Sequence, residues 1–291
     1  MKAILGSAQF GLSYGITNLG GKVSRETTLD IITKAKKLGI SIIDTAAVYG
    51  DSEKILGDIC SKIGGFDFIS KIQIMHDTTQ EAVKGAIEKS CTRLRSSQLY
   101  GLLVHNAHQF LSLRYADSIW NELLEQKRNG RIEKIGVSVY SPNQAREILK
   151  RFNIDMIQIP CNVLDQRFIE SGMIEELKAH NVEVHCRSIF LQGLLLADSN
   201  FISSKFIKAL PKFQIIDNIC IKKKINKLDI ILGYIKGIQD FDGVVFGVTT
   251  ANELEEIMDV LSNTSSNIIK NIDFSKLAML DKEIIDPSLW E

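Results

Sequence analysis

Four side chains could together deliver a proton to an oxygen atom. Asp44 and Tyr49 stand in "IDTAAVYG" (43–50), Lys71 closes "ISK", and His105 lies in "LLVHN". A phenol with an ordinary pKa of about 10 gives up its proton reluctantly at neutral pH. A nearby ammonium favours the phenolate and lowers that value. A buried carboxylate keeps the ammonium charged and aimed. An imidazole can hydrogen-bond a substrate oxygen and orient it. The four would form a general acid over a developing alkoxide, which suits carbonyl reduction. The hydride would have to come from a cofactor, because no side chain supplies one.

Taken singly, each residue has an ordinary structural role. A strand-end Asp caps the next turn, a strand-end Lys extends to solvent, and a lone His is satisfied within the fold. His76, His108, His180 and His185 lack metal-ligand spacing, so no metal is expected. His185 reads as one step off the inner phase of its strand. Tyr14, in "GLSYGI", either lines the mouth or packs on a loop, the second reading being slightly preferred.

The elements that would position these residues are short apolar runs: 3–6, 41–45, 66–71, 100–105, 134–139, 155–160, 182–188 and 243–248. They are too short for helices, and most are rich in Ile, Val and Phe, as buried parallel strands are. Helical periodicity fills the intervals. Ser24 is a candidate N-cap before Leu29, Ile32, Ala35 and Leu38, and Gly39 ends that run. Similar stripes occupy 79–94, the stretch after Pro142 and the stretch after Asn252. Eight strand–helix units predict a (β/α)₈ TIM barrel spanning 1–291 as one domain. The competing doubly wound sheet would call for a G-x-G-x-x-G turn, and none occurs. Residues 198–240 exceed one crossover and are expected to hold an extra helical insert after the seventh strand, either a lid or cofactor clamp or a surface addition. "KKK" at 222–224 reads as the solvated face of a helix within "CIKKKINKLDIIL".

Composition narrows the class. The 291 residues are 45% hydrophobic and 24% charged with zero formal net charge, so neither a basic nucleic-acid footprint nor disorder is expected. The five cysteines are scattered without a C-x-x-C pair, which fits a reducing compartment. With no signal-peptide core and no membrane-length apolar run, a cytoplasmic protein is expected. Oligomeric state is left open.

Barrel active sites form at the C-terminal strand ends. Asp44, Lys71, His105, Ser138, Gln158, Arg187 and Ser188 all fall there or close by. "IDTAAVYG", "ISK" and "LLVHN", on consecutive strands, resemble the aldo-keto reductases. So do "GSAQFG", "GVSVYSP", "QIPCNVLDQR", "RSIFLQGLL" and "FGVTTANELEE". The resemblance implies a reductase of an aldehyde or ketone, sugar-like by analogy, working with NADP(H) and, as an open alternative, NAD(H). Tyr49 would be the proton donor, Lys71 and Asp44 would tune it, and His105 would guide the carbonyl. Ser138 and Gln158 match carboxamide-binding positions. Gly6 and Asp44 would border the cofactor, and Arg187 falls where many members stack an aromatic ring on the nicotinamide. Ser188, Leu191 and Gly193 would face the pyrophosphate. Gly247, Val248, Thr249, Asn252, Glu253 and Glu256 would hold the adenosine end.

The chain departs from that pattern in several places. The family's common Asn after Ser138 is Val139 here. "GVTTANELEE" carries no Lys or Arg for a 2′-phosphate, and Glu253 would repel one. The chain begins almost at its first strand, so the barrel floor is expected to be closed by something other than an N-terminal hairpin. A long C-terminal substrate loop is not expected, and Trp290 either closes part of the pocket or packs outside. Two other functions share this fold. One is a cofactor-binding regulatory or scaffold subunit with little turnover. The other is a Schiff-base aldolase using Lys71, which a paired Asp44 disfavours by keeping the amine charged.

Overall fold

The computed structural model describes residues 1–263 and 269–290. Eight parallel strands close on themselves in chain order: β1 (Lys2–Gly6), β2 (Ile42–Asp44), β3 (Asp67–Ile72), β4 (Leu99–Val104), β5 (Ile132–Ser138), β6 (Met156–Pro160), β7 (Glu183–Arg187) and β8 (Gly243–Gly247). Each falls on one of the eight apolar runs, with ends shifted by no more than two residues. β1 pairs with both β2 and β8, setting Gly6 opposite Asp44 and Gly247.

Helices wrap the barrel: α1 (Arg25–Lys37), α2 (Ser52–Ile63), α3 (Gln80–Leu94), α4 (Ala116–Arg128), α5 (Pro142–Arg151), α6 (Met173–Ala179), α7 (Leu210–Lys223), α8 (Lys227–Gly237) and α9 (Ala251–Asn263). Their starts follow local chemistry. The side chains of Ser24, Thr79 and Ser141 each accept a hydrogen bond from the backbone N–H three residues on, and Pro142 opens α5, where no N–H is needed. In α1 the buried face is Thr28, Ile31, Ile32 and Ala35, while Leu29 is 45% exposed, so the stripe is rotated from the expected one. The Lys-rich stretch is two helices rather than one. Lys224 adopts φ +57 and ends α7, and Asn226 and Asp229 form a capping box that starts α8.

The strands are buried on both faces. Outward side chains join the helices in the main core. Ile4, Ile42, Ile69, Leu103, Met156 and Val245 meet inside the barrel. Each such burial contributes roughly 1.5–3 kcal/mol, so this inner layer is a rigid base for whatever stands above it.

Below that layer lies a polar floor. Glu183 accepts hydrogen bonds from Tyr100 Oη at 2.9 Å, from Lys134, and from His185 Nε2 at 2.7 Å. Lys134 Nζ also donates to Tyr100 Oη at 3.0 Å. Burial opposes Glu183 ionisation, but the hydrogen bonds from His185 and Lys134 outweigh it and hold the carboxyl well below the usual range. His185 is thus fully buried and turned inward with the ion pair, not off-phase. It shares the parity of Arg187, two residues on, because alternate strand residues face the same side.

Among the described residues no helix is long and apolar enough to cross a membrane. None of their His, Cys, Asp and Glu side chains forms a group of three or more able to hold a metal ion.

Candidate active site

The C-terminal strand ends open into a cavity of about 530 Å³. Asp44 ends β2, Lys71 is the penultimate residue of β3, His105 follows β4, Ser138 ends β5, Gln158 sits within β6 and Arg187 ends β7. All six line the cavity with Tyr49.

Lys71 and Asp44 are 2% and 3% exposed and form a direct ion pair. Lys71 Nζ also donates to Thr45 O at 3.0 Å, and Gln158 Nε2 donates to the other Asp44 oxygen. Every charge of the pair therefore has a partner, as burial demands. Burial draws the Lys71 pKa downward, and Asp44 pulls it partly back through charge and hydrogen bond.

Tyr49 is placed by backbone packing. The turn 46–50 lies on the short helix Ala8–Gly11, so close that a Cβ on Gly11 would sit 1.7 Å from Tyr49 O. Gly50 answers with φ +55, where a Cβ would sit 2.4 Å from Gly11 O. Beneath the turn, Thr45 Oγ1 donates to Ser52 Oγ at 3.2 Å, and Ser52 Oγ lies 2.9 Å from Ser7 Oγ. These buried hydroxyls tie the start of α2 to the end of β1. The Tyr49 ring then lies 5.3 Å from Lys71 Nζ and edge-on to His105, with centroids 5.9 Å apart.

The electrostatics differ from the sequence-based expectation. Tyr49 is pushed up, not down: burial is the largest cause, and the Asp44 charge adds to it. The cation that pulls it back is Arg187. Of the buried pair, it is the Asp44 charge that is felt at the phenol, and it opposes ionisation. His105 is lowered to about 3 by burial, then by Lys71 and Arg187, and is a neutral imidazole at physiological pH.

Arg187 is held rigidly. Its Nη2 donates to Val139 O at 3.0 Å and its Nη1 to Ser188 Oγ at 3.2 Å. Its guanidinium lies 4.5 Å from the Tyr140 ring centroid, a cation–π stack. The Val139 side chain packs into the outer core, and its carbonyl is what the mouth uses.

Toward the other end, the cavity is lined by Gly6, Ser188, Leu191, Gly193, Gly247, Val248, Thr249, Glu253 and Glu256. Asn252 is not among the lining residues and is exposed on α9. Glu253 accepts from Thr249 N at 2.6 Å and from Thr249 Oγ1 at 2.9 Å. A strap, Leu191–Leu196, crosses the mouth with Gln192 and Gly193 at φ +55 and +91, and Ile16 N donates to Gln192 O at 3.1 Å. Pro287 and Ser288 line the same cavity. Trp290 packs edge-on to Phe206 at 4.7 Å and donates from Nε1 to Glu283 O, outside the cavity lining.

Two residues of the mouth, Tyr140 and Gln9, escaped assignment from sequence, and a third, Tyr14, takes the less favoured of its two readings. Tyr14 lines the cavity near Tyr49, Arg187 and Tyr140; it is 36% exposed, and the loss of solvation within the mouth raises its phenol. Tyr140 follows β5 in the same "GVSVYSP" stretch as Ser138. Gln9 fills the space that the absent Gly247 side chain leaves, its amide 2.4–2.8 Å from where that Cβ would be. Tyr14 and Gln9 lie after β1, where no period marks which side chains turn inward.

The model of the aldo/keto reductase family matches residues 3–273. The chain belongs to this family. The family is one of nicotinamide-dependent oxidoreductases acting on small carbonyl compounds. The Bacillus subtilis oxidoreductase YqkF is 27% identical over 209 residues, 67% of this chain and 66% of that protein. The NADH-specific methylglyoxal reductase of Escherichia coli is 25% identical over 199 residues, 60% of each. The matches thus span somewhat less than two thirds of these curated relatives. Among solved structures, an aldo-keto reductase from Bacillus halodurans in its holo form superposes with a TM-score of 0.76 over 97% of this chain and 94% of that one, at 18% identity. That likeness concerns the fold.

Proposed function

We propose that this chain is an NAD(P)H-dependent reductase of small aldehydes or ketones, with Tyr49 as proton donor. The observation that carries the reading is the convergence of Asp44, Tyr49, Lys71 and His105 on one mouth, beside Ser138, Gln158 and Arg187.

The site suits a nicotinamide cofactor. Gln158 Oε1 and Arg187 Nε are buried there without protein partners, an acceptor and a donor left for an incoming group. Ser138 and Gln158 would hold the carboxamide. The strap with Leu191 and Gly193 would cover the middle of the molecule, and the segment from Gly247 to Glu256 would hold its adenosine end. When bound, the cofactor supplies the hydride.

The chain's own residues handle the proton. His105, neutral, donates an N–H to the substrate carbonyl oxygen and orients it. The raised proton affinity of Tyr49 keeps the phenol protonated until negative charge builds on that oxygen. The Oη–H bond then breaks and a new O–H bond forms on the substrate. The phenolate left behind is stabilised by Arg187, while Asp44 keeps Lys71 charged and in place beneath the ring. The low-polarity inner layer beneath strengthens each of these interactions.

We assign NAD(H) as a cofactor accepted alongside NADP(H). Glu253 fixes its carboxylate on Thr249 within the adenosine segment, and residues 247–256 contain no Lys or Arg. A ribose diol can donate to a carboxylate, whereas a 2′-phosphate is repelled by it. The relative named as NADH-specific agrees with this direction. Asn18, Gln192 and Ser288 at the rim favour a hydroxylated, sugar-like carbonyl. Steady-state kinetics with both cofactors and a panel of glyoxals, glyceraldehyde, aldoses and apolar aldehydes tests the assignment. Turnover with NADH and preference for hydroxylated substrates is expected. No turnover with any carbonyl, despite cofactor binding, would replace the enzyme by a cofactor-binding subunit. An NADPH preference above about a hundredfold, some 2.7 kcal/mol, would overturn the cofactor assignment.

A further inference from the structure

The cations of the mouth are not equivalent. Lys71 is matched by Asp44 at contact distance. Arg187 has no carboxylate partner among the described residues. Its Nη atoms bond neutral groups, Val139 O and Ser188 Oγ, and it stacks on a neutral ring. Its Nε is buried without any protein partner. The inner mouth therefore carries one uncompensated and immobile positive charge. Glu253 and Glu256, the other acids lining the cavity, lie on α9 at the far end.

That charge stands beside Ser138 and Gln158, the residues that would hold the carboxamide. The two redox forms of a nicotinamide differ in ring charge: the reduced ring is neutral and the oxidised ring is cationic. Their phosphates and adenosine are the same. A fixed guanidinium repels only the oxidised ring. Two unit charges a few ångströms apart, under protein-like screening, interact strongly enough to change a dissociation constant by more than tenfold.

We infer that Arg187 makes this site discriminate between redox forms, holding the reduced nicotinamide and rejecting the oxidised one. The inference rests on the cofactor reading above. An aromatic ring at this position would stack on both forms without repelling either. Here the reduced cofactor is captured in preference and the oxidised product is released readily, which favours carbonyl reduction through cofactor exchange. The same preference makes the bound reduced cofactor a weaker hydride donor than the free one, because the more tightly bound form is the one stabilised. Arg187 acts as a specificity-determining residue for the cofactor's oxidation state.

Isothermal titration of the full-length protein with NADH and with NAD⁺, without substrate, tests this. The ratio of the NAD⁺ to the NADH dissociation constant is expected to be at least about tenfold, or 1.4 kcal/mol, in the wild type. Arg187→Lys keeps the charge and should keep most of the ratio. Arg187→Gln should bring it to within about threefold of unity, chiefly by tightening NAD⁺. A wild-type ratio near one overturns the inference, as does a ratio that Arg187→Gln leaves unchanged. Should the Gln variant fail to fold, the wild-type ratio and its retention in the Lys variant decide the question. Binding of neither form would instead overturn the cofactor reading itself.

Discussion

Replacing Asp44 by Asn would leave the Lys71 ammonium buried with only Thr45 O and an amide for company. Losing one partner of a buried ion pair costs about 3–5 kcal/mol, mostly the uncompensated charge. At about 2.1 cal/mol/K per residue, unfolding 291 residues carries an entropy near 0.6 kcal/mol/K. The thermal midpoint at pH 7 should therefore fall by about 5–8 °C. The loss has a pH signature. Burial already depresses the Lys71 pKa, and Asp44 is what partly restores it, so the variant depresses it further. Between the folded value and the unfolded value of about 10.4, the unfolded chain binds the extra proton. Stability must then rise with pH across that window, by at most about 1.4 kcal/mol per unit, and level off above it. The wild type shows the same sign with a shallower slope. Asp44→Asn combined with Lys71→Met removes both charges and should recover most of the stability. Calorimetry of the three proteins between pH 6 and pH 10 reads all of this. A single variant as stable as wild type, or one losing stability as pH rises, would refute the buried-pair argument.

Three further positions carry predictions. Because His105 titrates only near pH 3, kcat/KM should show no inflection at the ordinary imidazole pKa of about 6.5. His105→Gln, which keeps a donor, should retain more activity than His105→Leu in the same pH series. As this imidazole must stay neutral to fold, acid should progressively destabilise the protein below about pH 6.5, measurable as a falling thermal midpoint. Gly11→Ala forces a Cβ onto Tyr49 O and displaces the turn. It should cut kcat by about tenfold or more, since small misplacements are costly, while circular dichroism still reports a folded barrel. Glu253→Arg should shift the ratio of kcat/KM values toward NADPH by about tenfold or more, because a charge-assisted hydrogen bond to the 2′-phosphate replaces a repulsion.

The strands were readable because both faces of a parallel barrel are buried, which turns each into an uninterrupted apolar run. The polar residues at their ends followed from the same register: Asp44, Lys71 and Ser138 each close or nearly close a strand. The phase of β7 was harder. Glu183, His185 and Arg187 all face inward, so this strand is polar inside and apolar outside, whereas β8 places apolar side chains on both faces. Tyr14 and Gln9 sit in segments without periodicity, and only the packing of Gly247 and the strap reveals them. The break between α7 and α8 was written in "INKLD" as an Asn and an Asp three residues apart, masked by the lysines before it. The direction of the Tyr49 shift could not be read at all. A sequence names the charged neighbours but not that burial and the Asp44 charge together outweigh the cation, Arg187, that favours the phenolate.

The central claim is that Tyr49 donates the proton, and Tyr49→Phe tests it most directly because the ring, and with it the packing on His105, is preserved. Rapid-mixing, single-turnover measurement of NADH oxidation by an aldehyde should show hydride transfer slowed by about 10²–10⁴-fold, with the NADH dissociation constant unchanged. A variant within about threefold of the wild-type rate would show that the proton comes from elsewhere, contradicting the role given to the phenol.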